Sequence, residues 1–121
     1  MKQLKNLTLI IIFMLSISAF AQEQSQELKK GEAEIKIQTS AQCEECKERI
    51  EKNMAYEKGV KAVDLNLEDK VLTVTYKTDK TTPEKLREAV SDIGYDADDV
   101  AADPKAYEKL PACCQKGGHE H

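Results

Sequence analysis

The apolar periodicity of this chain switches three times between residues 33 and 93, and the order of the switches leaves few folds open. Ala33, Ile35, Ile37 and Thr39 alternate with Glu34, Lys36 and Gln38, the period of a strand with one buried face. From Cys43 to Lys58 the period becomes helical, with Cys43, Cys46, Ile50 and Met54 on one stripe and Gly59 placed to end the helix in a left-handed cap. Alternation returns in Val63, Leu65 and Leu67 and again in Leu72, Val74 and Tyr76. Asp69-Lys70 between them reads as the tight turn of a hairpin. Thr82-Pro83 then opens a second helix, because Thr can cap and Pro suits a first position that needs no N–H. Leu86, Val90 and Ile93 form its apolar stripe, and Gly94 ends it.

Each strand is apolar on one face and each helix on one stripe. The packing that buries all of them is two helices on one face of a small antiparallel sheet. The class is α+β, and strand-helix-strand-strand-helix is most of a ferredoxin-like βαββαβ sandwich. A last strand should follow Tyr95, yet Asp96-Ala97-Asp98-Asp99-Val100 is poor strand material, so a short or frayed edge strand is expected. Asp103-Pro104 starts a short further helix that ends before Pro111.

The ends of the chain differ in kind. Met1 to Asn6 is basic, Leu7 to Phe20 is almost wholly apolar, and Ala19-Phe20-Ala21 is a small-x-small cleavage pattern. Residues 1–21 therefore read as a secretory signal, too short in its apolar run to span a bilayer; no stable membrane insertion is expected after cleavage. Residues 22–31 read as a polar, disordered lead-in, 32–102 as the folded domain, and 103–121 as a C-terminal helix and tail. An exported, periplasmic or secreted, location follows, with an oxidising environment for the four cysteines.

Composition excludes some functions. Without Lys2 and Lys5 of the leader, the chain carries 16 basic against 22 acidic residues, a formal charge of −6. Beyond residue 21 it has no Phe and no Trp, only four Tyr. Neither phosphate binding by charge nor base stacking fits, so no nucleic-acid partner is expected. In a chain of 121 residues there is room for one domain, not for a multidomain enzyme.

Cys43-Glu44-Glu45-Cys46 falls between the first strand and the first helix. Free N–H groups and the positive end of the helix dipole favour thiolate there, with Lys47 and Arg49 adding positive charge and Glu44 and Glu45 opposing it. Two thiolates with no histidine nearby suit Cu(I) or Hg(II), and less well Zn(II), which takes four ligands. A simple disulfide, a thioredoxin-type redox pair, and Cys46 as an ordinary buried residue remain open alternatives.

Residues Glu34 to Asp98 resemble a heavy-metal-associated domain, the module of copper chaperones, metal-transporting ATPase tails and the periplasmic mercury-binding protein. The resemblance rests on Cys43-x-x-Cys46, Gly59-Val60, Val63-Asp64-Leu65-Asn66-Leu67, Val71-Leu72-Thr73-Val74-Thr75-Tyr76, Thr82-Pro83-Glu84-Lys85-Leu86 and Ile93-Gly94-Tyr95-Asp96-Ala97. It implies that Cys43 and Cys46 are the metal ligands, that Tyr95 lies beside the ion and shapes its site, and that the chain is not an enzyme. It also implies that the partner is a metal-transporting ATPase or membrane transporter, and the acidic balance asks for a basic patch on that partner. One departure is Ser40-Ala41-Gln42 where the family has Gly-Met-Thr. The Met normally tethers the loop to the core, so Ala41 is expected to leave it looser.

The tail gathers Cys113, Cys114, His119 and His121, with Gly117-Gly118 between the pairs. This set could form a second S/N site for Zn(II) or copper, or complete the coordination of an ion held by Cys43 and Cys46. The competing readings are a disordered tail with inert or oxidised cysteines, and a disulfide to the first pair, for which four cysteines allow three connectivities.

Overall fold

The computed structural model describes residues 28–116. The leader, most of the lead-in, and His119 and His121 lie outside them. Strands β1 (Glu32–Gln38), β2 (Val60–Asn66) and β3 (Val71–Lys77) form an antiparallel sheet in the order β1-β3-β2. The register explains the alternation in the sequence. Ile37, Leu72 and Leu65 make one row across the three strands, Ile35, Val74 and Val63 the next, and Ala33, Tyr76 and Val60 the third. Each row presents its side chains to the same face, so one face is apolar and Glu34, Lys36 and Asp64 lie on the other. The central strand β3 carries two fully buried members, Leu72 and Val74, and Ile37 on β1 and Leu65 on β2 are as deeply buried.

Helices α1 (Glu44–Ala55) and α2 (Pro83–Ile93) cover the apolar face. Helix α1 contributes Cys46, Ile50 and Met54, and α2 contributes Leu86, Ala89 and Val90, all in one core with Ile37, Leu65, Leu72 and Val74. The Thr82 side chain caps α2 by accepting the Lys85 amide at 3.2 Å. Gly94 closes it with φ 116°. A short helix α3 (Pro104–Glu108), capped by Asp103, and a single 3-10 turn (Ala112–Cys114) complete the described chain. Among the described residues no helix is long and apolar enough to cross a membrane.

Helix α1 is shorter than the periodicity suggests. It stops at Ala55 with Tyr56 as a right-handed C-cap, rather than running to Lys58. Gly59, with φ 83°, turns the chain into the sheet instead of capping the helix, and its carbonyl accepts the Lys77 amide at 2.8 Å. A Cβ there would stand 2.8 Å from the Lys80 Cβ and 2.9 Å from the Thr81 Cγ2, so close approach as well as φ demands glycine.

The expected last strand is reduced to bridges between Thr39 and Ala97 and between Ala97 and Val100. Asp98 takes over its task. Its amide donates to the Gln38 carbonyl at 2.8 Å, and its Oδ1 accepts the Gln38 amide at 2.9 Å. With φ 53°, Asp98 turns away from the sheet, and Arg87 Nε holds the other carboxylate oxygen at 2.9 Å. A carboxylate thus satisfies an edge group that a fourth strand would pair.

Candidate metal centre

Cys43 is the N-cap of α1, in extended conformation, and Cys46 lies in the first turn. Their sulfurs stand 3.6 Å apart. The loop before them is tied at three points. Ala41 is fully buried. The Thr39 hydroxyl accepts the Ala41 amide at 3.3 Å and donates to the Lys70 carbonyl at 2.8 Å. The Ser40 hydroxyl accepts the Asp96 amide at 2.9 Å, which links this loop to the one that carries Tyr95. Ala41 is thus part of the core, with polar ties on either side. No sequence signal distinguishes Thr39 and Ser40 from ordinary strand-end residues.

The C-terminal turn lies against this pair. The Cys43 thiol donates to the Cys113 carbonyl at 3.6 Å, and the sulfurs of Cys113 and Cys114 are 3.8 Å apart. The sulfurs of Cys43, Cys113 and Cys114 all fall within 4.8 Å of one another. All four cysteines are free thiols. The tail cysteines lie beside Cys43, while His119 and His121 of the same set fall outside the described residues. Cys46 is fully buried and Cys43 half-buried. Cys46 faces the core with Ile50 and Met54, and the C-terminal turn packs on α1.

Charged groups divide the cluster. Arg49 Nη1 donates to the Cys114 sulfur at 3.1 Å and to the Tyr95 hydroxyl at 3.3 Å. The bond to Tyr95, with that to Cys114, raises the Arg49 pKa further and holds the guanidinium charged. Tyr95 is fully buried, and that burial pushes its hydroxyl well above the usual phenol range, so it is a neutral group in the site wall. On the other side the Cys113 thiol donates to Glu45 Oε2 at 2.7 Å. That carboxylate, with burial, pushes the Cys113 thiol up to about 12. Arg49 and Glu45 are visible in the sequence only as charges near a Cys pair; their contacts with residues 65 and 68 positions away arise from the fold.

Such an arrangement can hold a soft cation through sulfur, with a cationic side chain to offset thiolate charge. Comparison with known proteins points the same way. Residues 40–96 match the model of the heavy-metal-associated domain. The copper chaperone CopZ of Staphylococcus epidermidis is 35% identical over 54 residues, which are 45% of this chain and 79% of that protein. Copper-transporting ATPase 1 of Rattus norvegicus is 38% identical over 55 residues, 46% of this chain but 4% of the ATPase. The solved structure of a CopZ metallochaperone superposes with a TM-score of 0.51 at 27% identity, covering 54% of this chain and 98% of that one.

Proposed function

The chain belongs to the heavy-metal-associated domain family, and on that premise we propose that it is an exported, non-enzymatic carrier of a soft metal ion, Cu(I) first and Hg(II) second. The observation that carries this reading is the Cys43–Cys46 sulfur separation of 3.6 Å at the start of a helix. An ion entering there displaces the two thiol protons and forms two metal–sulfur bonds, favoured by the free N–H groups of the first turn. Export rests on the three-part pattern of residues 1–21. The partner we propose is a metal-transporting ATPase or membrane transporter with a basic docking patch. Its association should weaken as salt rises, because this chain is acidic.

The ion must arrive before the pair is oxidised, since a Cys43–Cys46 disulfide has no thiolate to offer. The test is an anaerobic Cu(I) titration of the reduced chain against the Cys43→Ser/Cys46→Ser double variant. The expected result is a loss of affinity beyond the roughly 10–100-fold typical of losing a supporting residue. Equal affinity in both proteins, or catalytic insulin reduction dependent on Cys46, would replace this reading with a thiol-disulfide one.

A further inference from the structure

We propose that Cys43, Cys113 and Cys114 form a three-sulfur site for a single Cu(I) ion, so that the C-terminal turn is a built-in ligand closing over the carrier pair. The inference rests on the reading of this chain as a soft-metal binder and assigns further ligands to it. It starts from spacing. Three sulfurs around one ion at metal–sulfur bonds of about 2.3 Å stand about 4 Å apart. The three thiols lie within 4.8 Å of one another, and Cys113 and Cys114 are 3.8 Å apart, so closure onto an ion needs only small side-chain rotations.

The turn is built to stay there. Leu110 is buried against the end of α2, beside Gly94. Gln115 Nε2 donates to the carbonyls of Tyr107 and Leu110, and the Tyr107 hydroxyl accepts the Lys116 amide at 2.9 Å. Lys116 forms an ion pair with Asp96, one residue beyond Tyr95. The di-cysteine is thus fastened on both sides.

Charge acts on the two tail sulfurs in opposite senses. Three thiolates and one monovalent cation leave a formal charge of −2, which Arg49, 3.1 Å from the Cys114 sulfur, offsets in part. Glu45, 2.7 Å from the Cys113 sulfur, opposes the loss of that thiol's proton until the ion displaces it. Cys43 is then shared between two sulfur sets, since Cys46 is 3.6 Å from it on the other side. An ion can pass from Cys43/Cys46 to Cys43/Cys113/Cys114. Two metal–sulfur bonds form, one breaks, each incoming thiol releases a proton to solvent, and the Cys46 thiolate takes one back. Copper stays Cu(I) throughout. The outcome is a coordinatively filled site, which retains its cargo where a two-sulfur site would leave room for a partner's thiolate.

The test uses the reduced full chain loaded anaerobically with one equivalent of Cu(I). X-ray absorption counts sulfur neighbours, and a Cu(I) chelator measures affinity by competition. Wild type and Cys46→Ser should both show three sulfurs. Cys113→Ser/Cys114→Ser should show two and lose affinity by at least roughly 10-fold. Cys113→Ser alone, at the more exposed position, should also drop to two sulfurs if the double variant does not fold. Two sulfurs in wild type, or loss of the ion in Cys46→Ser, overturns the three-sulfur site. Loss of all binding in Cys113→Ser/Cys114→Ser overturns instead the carrier role of Cys43 and Cys46 while leaving the three-sulfur site standing.

Discussion

Cys43 and Cys46 ride on a helix that buries Ile50 and Met54 in the sheet core, whereas Cys113 and Cys114 sit on a three-residue turn fastened by Leu110, Gln115 and Lys116. Both pairs end within a few ångströms of each other, but different forces hold them. The first pair inherits the rigidity of a helix packed on three strands. The second depends on the burial of Leu110 and of Cys114 itself, a few side-chain bonds and an exposed ion pair. An ion carrier can use this difference: a pair fixed by the helix to receive the ion, and a second pair held against it by contacts of its own.

Damage to the shared framework gives the largest effect and should not tell the pairs apart. Leu72 is fully buried at the centre of the row that joins Ile37 and Leu65. Leu72→Ala should cost about 2–5 kcal/mol in urea unfolding. Thiol labelling, located by mass spectrometry, should speed up at all four cysteines together.

A smaller, selective effect is expected at Gly94. Its φ is 116°, and a Cβ there would lie 3.1 Å from the Ala106 backbone. Gly94→Ala should cost about 1–3 kcal/mol. The strain falls on the contact between α2 and α3, so labelling of Cys114 should accelerate more than the far-ultraviolet circular dichroism changes. Equal labelling rates in variant and wild type would mean that the C-terminal turn does not depend on this contact.

The smallest effect on stability, and the sharpest on chemistry, concerns Glu45. Its carboxylate accepts the Cys113 thiol and, with burial, pushes that group from an ordinary 9 up to about 12. A raised pKa means that the fold favours the neutral thiol. This contribution is present below about pH 9 and disappears as pH climbs toward 12. Glu45→Gln should leave unfolding almost unchanged and make Cys113 alkylate faster at pH 9, with Cys43 as the internal reference. An unchanged Cys113 rate would remove Glu45 as the group that restrains it.

Much of the first region can be read from local sequence. The alternation in β1 and β3, the Thr82-Pro83 start of α2 and the Cys43 position before α1 all follow from period, capping and turn chemistry, which act over a few residues. Local signals overextended α1, because Gly59 answers to Lys80 and Thr81, about twenty residues further on, rather than to the helix. The frayed edge after Tyr95 was visible as an acidic run, but the substitution of an Asp98 side chain for strand pairing was not.

Residue types and spacing alone determined that this chain builds a half-covered antiparallel sheet and offers a thiol pair at a helix start. Only the tertiary structure decided that the second pair lies beside the first, that Arg49 faces Cys114 and Glu45 faces Cys113, and that Cys46 is covered. The reason is range. Periodicity and caps are properties of neighbours in sequence, while a cluster drawn from residues 43 and 113 exists only once the core has brought the two ends of the domain together.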